Sequence, residues 1–197
     1  MSGIINSIMS IGAVFGILAG IFSFSAYLFY IVAIIKGYTK PSRASWFIWA
    51  GIGIILAFSY RASGAEDTIW VAVSEAIAPM VIALLSIKYG VGGAEKIDIF
   101  ALVGSLCSLF LWWYFGTPVI TLVTNLAIDF FAALPTIEKS WKKPRGEDRF
   151  AWTLTQTGNV FNLFAIDKFL FGVMIYPIYT FVIDGVMDAK SGATTTH

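Results

Sequence analysis

Seven apolar runs alternate with short polar gaps along this chain, at 14–35, 45–60, 69–88, 97–115, 118–138, 150–166 and 169–187. A bilayer core about 30 Å thick needs about 20 apolar residues per helix, so each run predicts one transmembrane helix. The second and sixth runs are short and are expected to stand with little tilt or to gain length from their flanks. Residues 3–13 are also apolar and read as an extension of the first helix, because together with it they are too short for two spans. Breakers fall in the gaps: Pro41, Gly64, Gly90 with Gly92 and Gly93, Gly116 with Pro118, and Pro144 with Gly146.

Lys and Arg sort sharply between alternate gaps. Connections one, three and five plus the tail carry Lys36, Lys40, Arg43, Lys88, Lys96, Lys139, Lys142, Lys143, Arg145, Arg149 and Lys190, against Arg61 and Lys168 on the other side. Eleven against two predicts that the first group is cytoplasmic, with the N-terminus outside and the C-terminus inside a plasma (cytoplasmic) membrane. Composition agrees with lipid as the solvent: 58% of the 197 residues are hydrophobic and only 13% are charged, with a mean hydropathy of +0.80. The net charge of +1 gives no reason to expect a nucleic-acid partner. Met1 to Ser10 lack the positive region that opens a secretory signal, so no cleavage is expected.

The chain also compares with itself at an offset of 106 residues. Between 24–58 and 130–164 the pairs Phe24/Phe130, Ala26/Ala132, Leu28/Leu134, Ile31/Ile137, Lys36/Lys142, Arg43/Arg149, Trp46/Trp152 and Phe58/Phe164 are identical. The Arg-x-x-Trp pair is the most telling, because charges and Trp are rare in this chain. Each copy falls on a basic connection that opens the next helix. Both copies therefore run the same way, which predicts an all-α membrane protein with seven transmembrane helices as a parallel 3+1+3 repeat. The units are 1–89 (a three-helix repeat with its N-terminal extension), a linker helix at 97–115, a second three-helix repeat at 118–190, and a tail at 191–197. Parallel repeats are one of the transporter architectures, with the solute site at the repeat interface.

The stretch Ala133-Leu134-Pro135-Thr136-Ile137-Glu138-Lys139-Ser140-Trp141 resembles the end of the first helix in a PQ-loop repeat, where a proline precedes a short polar loop and the second helix. The 3+1+3 topology is similar to that of the SWEET sugar transporters and the PnuC vitamin transporters. Trp46-Phe47-Ile48-Trp49 resembles the Trp-x-x-Trp motif of PnuC proteins. Lys40-Pro41-Ser42-Arg43-Ala44-Ser45-Trp46 also looks like small uncharacterised bacterial membrane proteins of this general class. The resemblance implies transport of a small polar solute such as a sugar or a nucleoside-like vitamin.

Ionisable groups within a span are costly and read as functional candidates. Asp129 falls near the middle of the fifth run with Asn125 one turn away, and Glu75 lies in the outer half of the third. Asp129 and Glu75 are the proton-coupling candidates. In the sixth run Trp152, Thr155, Asn159 and Asn162 share one helical face, with Gln156 beside them. Repeat symmetry sets Trp46, Trp49, Gly53 and Leu56 opposite. An aromatic wall facing an amide wall suits a polar ligand with a flat part. Trp46, Trp49, Asn125, Trp152, Gln156, Asn159 and Asn162 are thus the expected solute-binding residues. The plainer use of such amides is hydrogen bonding between helices. Gly12, Gly16 and Gly20 predict a close helix contact.

Cys107 is the one cysteine and His197 the one histidine, so no disulfide, cysteine metal site or cofactor is expected. There is no catalytic triad or carboxylate pair at hydrolase spacing, and no enzyme activity is expected. Solute and membrane lipids are the expected partners, and self-association stays open. A non-transporting receptor, or a subunit of a membrane complex, is the alternative.

Overall fold

The structure, a computed structural model, describes residues 11–92, 117–142 and 147–191, together with positions 103, 106, 107, 110, 111 and 113–115. Six helices are delimited there. They are α1 (Ile11–Ile35), α2 (Arg43–Ala62), α3 (Ile69–Tyr89), α4 (Pro118–Lys142), α5 (Arg149–Phe164) and α6 (Phe171–Lys190). No strand occurs among the described residues. Five of the helices are long and apolar enough to cross a membrane, and the 16-residue α5 is the exception. Most of the expected linker span 97–115 lies outside the described residues, and those of its positions that are described are helical.

Local chemistry explains where the helices begin. Ser42 caps α2 by accepting from the Ser45 amide, and Asp148 caps α5 by accepting from the Ala151 amide at 2.7 Å. Both side chains satisfy an orphan donor of the first turn. The two caps stand 106 positions apart, the offset of the Arg-x-x-Trp pair. Arg43 then closes the end of α3, donating from Nε to the Ser86 carbonyl at 3.0 Å and from its terminal nitrogens to Gly92 at 2.8 Å and Gly90 at 3.2 Å. It thereby adds a donor to the Ser86 carbonyl, which also receives the Gly90 amide, and ties down the carbonyls of Gly90 and Gly92 just beyond the helix.

One boundary differs from expectation. The polar loop expected soon after Pro135 starts later, because α4 continues to Lys142. Its last turn is held by the Lys142–Glu138 ion pair one turn apart and by the Ser140 hydroxyl, which donates to the Thr136 carbonyl at 2.8 Å. A helix needs no apolar surface once it leaves the hydrocarbon, so polar residues extend it.

The helices pack as a ring in the order α1, α3, α2, α4, α6, α5 and back to α1. Exchanging each helix with the one three places along leaves that order unchanged. Two neighbour pairs, α1 with α5 and α2 with α4, join the first three helices to the last three. The glycine stripe of α1 lies against the start of α3, as expected. A Cβ on Gly16 would stand 1.8 Å from the Asp67 carbonyl oxygen, and one on Gly20 2.6 Å from the Trp70 Cβ. Gly158 similarly brings α5 onto α1, where a Cβ would stand 3.0 Å from the Ala19 carbonyl oxygen.

Candidate functional site

All six helices line one cavity inside the ring. From α1 come Tyr27 and Tyr30, and from α2 come Trp46, Trp49 and Gly53. Glu75 and Pro79 enter from α3, Asp129 from α4, and Trp152 and Thr155 from α5. The α6 wall holds Tyr176, Tyr179, Thr180 and Asp184. Gly53 lets α2 approach closely here, since a Cβ would stand 2.5 Å from the Glu75 carbonyl oxygen. About 60 Å³ of the cavity is open to the centres of water molecules.

Three carboxyls face this space, and each is met by a neutral donor. The Tyr176 hydroxyl donates to Glu75 at 2.7 Å, the Tyr179 hydroxyl to Asp129 at 2.5 Å, and the Asn159 amide to Asp184 at 2.8 Å. Tyr176, Tyr179 and Asp184 all belong to α6, so that helix grades the carboxyls by depth. At 1.5 Å per residue the three levels extend over about 12 Å of the axis. Among the described residues no Lys, Arg or His forms an ion pair with any of them. No group of His, Cys, Asp and Glu able to hold a metal occurs among the described residues either.

The two ends of the ring are clasped by bonds between its halves. At the Lys-rich end Glu147 is buried, accepting from the Tyr30 hydroxyl at 2.8 Å and the Trp152 indole at 3.2 Å and pairing with Lys139. Lys139 also donates to the Lys40 carbonyl, and the Thr136 hydroxyl donates to Ser45 at 2.8 Å. At the other end the Tyr60 hydroxyl bonds to Thr68 at 2.7 Å and to the Val173 carbonyl at 2.8 Å. Lys168 pairs with Glu66 at 2.9 Å there and holds that carboxyl below its ordinary range, chiefly by hydrogen bonding and then by charge. Tyr60 packs on Tyr176 with ring centroids 4.6 Å apart and the planes tilted by 46°.

Of the residues singled out from sequence, Trp46, Trp49, Trp152, Glu75 and Asp129 come together around the cavity. Gln156, Asn159, Asn162 and Asn125 are not among its lining residues. Gln156 donates to the Phe181 carbonyl at 3.2 Å, and Asn159 to the Thr180 carbonyl at 3.3 Å as well as to Asp184. Asn162 and Asn125 are fully buried. The face shared by Trp152, Thr155, Asn159 and Asn162 therefore divides along its length. Trp152 and Thr155 open on the cavity, and Asn159 is taken up by α6. Sequence reasoning passed over Asp184, Glu147 and the four tyrosines. The rule that an ionisable residue within a span is a candidate would have flagged Asp184. No family model, curated protein or solved structure matches this chain.

Proposed function

We propose that the protein is a membrane transporter of a small polar solute, working as a facilitator or coupled to protons. In this reading the chain is a parallel 3+1+3 repeat in the plasma membrane, N-terminus outside, with the basic connections in the cytoplasm. The observation that carries it is a largely aromatic and apolar cavity bearing three carboxyls, at the centre of a ring whose two halves are clasped at both ends. A solute held there passes if the clasps open in turn, and each clasp joins side chains of different halves. The recurrence of ring order and helix caps at corresponding positions supports the repeat. Trp46, Trp49 and Trp152 hold the solute, and Asp129 with Glu75 carry the coupling proton where there is one.

Alternating access is tested with a single cysteine at a cavity position, Thr155→Cys, in a Cys107→Ala background. Right-side-out and inside-out vesicles are treated with a membrane-impermeant thiol reagent. A transporter exposes the position to both sides in turn. Labelling from one side only, or from neither, removes the transport reading and leaves a receptor or a subunit of a larger complex.

A further inference from the structure

We propose that the central cavity binds a small organic cation carrying an oxygen function, with Glu75, Asp129 and Asp184 as its counter-charges. Three observations carry this. The first is charge: three carboxyls share one cavity and none is in an ion pair among the described residues, whereas the buried Glu147 has Lys139. A buried carboxylate without a counter-charge is unfavourable, so a cation entering the cavity supplies what the protein does not. The donors that reach the three carboxyls, two tyrosine hydroxyls, one amide and the Trp49 indole, are neutral.

The second observation is aromatic surface. Trp46, Trp49 and Trp152 border the same space, and tryptophan offers the strongest face for an ammonium group. The third is an unanswered donor. Trp46 is 3% exposed, and among the described residues its indole N–H makes no hydrogen bond of good geometry, the Tyr30 hydroxyl being the one group near enough to interact with it. A ligand oxygen answers it. Size narrows the class further. The space open to water centres is only about 60 Å³, which favours a compact solute.

The carboxyl levels along α6 give such a cation successive partners through the bundle. One positive charge leaves the remaining carboxyls free to carry protons, so cation binding and proton coupling are compatible. The inference deepens the transporter reading and rests on it for the fate of the bound solute.

The test uses the full chain in lipid nanodiscs and proteoliposomes, with choline, its neutral carbon isostere 3,3-dimethylbutan-1-ol, and glucose as probes. Binding is read by tryptophan fluorescence and uptake with radiolabelled choline. Choline is expected to bind at least about tenfold more tightly than the isostere. Asp184→Asn should reduce that preference, and Asp184→Glu, which keeps the charge, should retain it. Equal binding of the isostere, preference for glucose, or no binding of choline overturns the cation class and leaves the transport reading standing. Choline binding without uptake supports the site and overturns transport instead. Should Asp184→Asn fail to fold, the wild-type comparison of choline with its isostere still decides.

Discussion

Removing one hydroxyl at the Lys-rich clasp gives a measurable test of how the two halves are held. Tyr30 is 3% exposed and donates to Glu147 at 2.8 Å. Tyr30→Phe keeps the ring and its contacts with Trp46 and Trp152, whose centroids lie 5.0 Å and 6.4 Å away. It deletes the hydroxyl, and with it one of the bonds across the halves and the interactions of that hydroxyl with Thr39 and Trp46. A hydrogen bond to a charged group contributes about 1.5–3 kcal/mol. If that bond exists only while the end is clasped, its loss raises the open population by about 10- to 100-fold, at about 1.4 kcal/mol per factor of ten. Glu147→Gln is a poorer probe, because it leaves the largely buried Lys139 without its carboxylate and disturbs folding as well. The assay is the labelling rate of Thr155→Cys in the Cys107→Ala background, from the Lys-rich side, with and without Tyr30→Phe. An increase of about tenfold or more is expected. A rate unchanged within about twofold, in a variant that unfolds like its parent, refutes the assignment of this network as a clasp.

Gly16→Ala should destabilise the protein by about 2–3 kcal/mol, because its Cβ would fall 1.8 Å from backbone at Asp67, while Gly51→Ala, with nothing within 4 Å, should be neutral or stabilising. Thermal unfolding in detergent separates the two, and equal stability would remove the close-contact account. Asp129→Asn should fold normally and lose any response of transport to a pH gradient in proteoliposomes; a wild-type response would make Asp129 structural. Cysteines at Lys40 and at Gly64 should be labelled by an impermeant reagent from opposite sides, the second from outside in intact cells. Labelling at 40 alone would reverse the orientation.

Much of the scaffold is legible in the pattern of residues because membrane helices obey local rules. Ser42 and Asp148 stand just before the helices they cap, and Pro41 and Gly64 mark gaps between helices. The glycine stripe of α1 announces its close contact in one dimension. The cavity lining is less legible, since it depends on how neighbours rotate each helix. Gly158 seats α5 against α1, and α6 covers Asn159, so the amide-rich part of α5 is spent on Asp184 and on α6 carbonyls rather than on open space. Tyr30, Tyr176 and Tyr179 look like ordinary aromatic residues in apolar runs until their hydroxyls are found on carboxyls distant in the chain. Glu147 is masked in the same way: among the basic residues of its connection it looks like part of an orientation signal, yet it is the buried partner of one of them.

The short α5 gives that buried pair its character. Sixteen residues rise about 24 Å, less than the hydrocarbon core of about 30 Å. Arg149 at the start of α5 is exposed, whereas Glu147, two residues before it, is buried against Tyr30 and Trp152. In such a low-dielectric setting an ion pair is far stronger than at a wet surface, provided its remaining bonds are satisfied. Here the Glu147 carboxylate receives Lys139, a hydroxyl and an indole together. That strength depends on dryness. The first waters admitted between the halves would weaken the attraction and solvate both charges, so loosening the clasp makes further loosening easier. Opening at this end is accordingly expected to be abrupt, with few partly open states, whereas the more exposed Lys168–Glu66 pair at the opposite end should yield gradually.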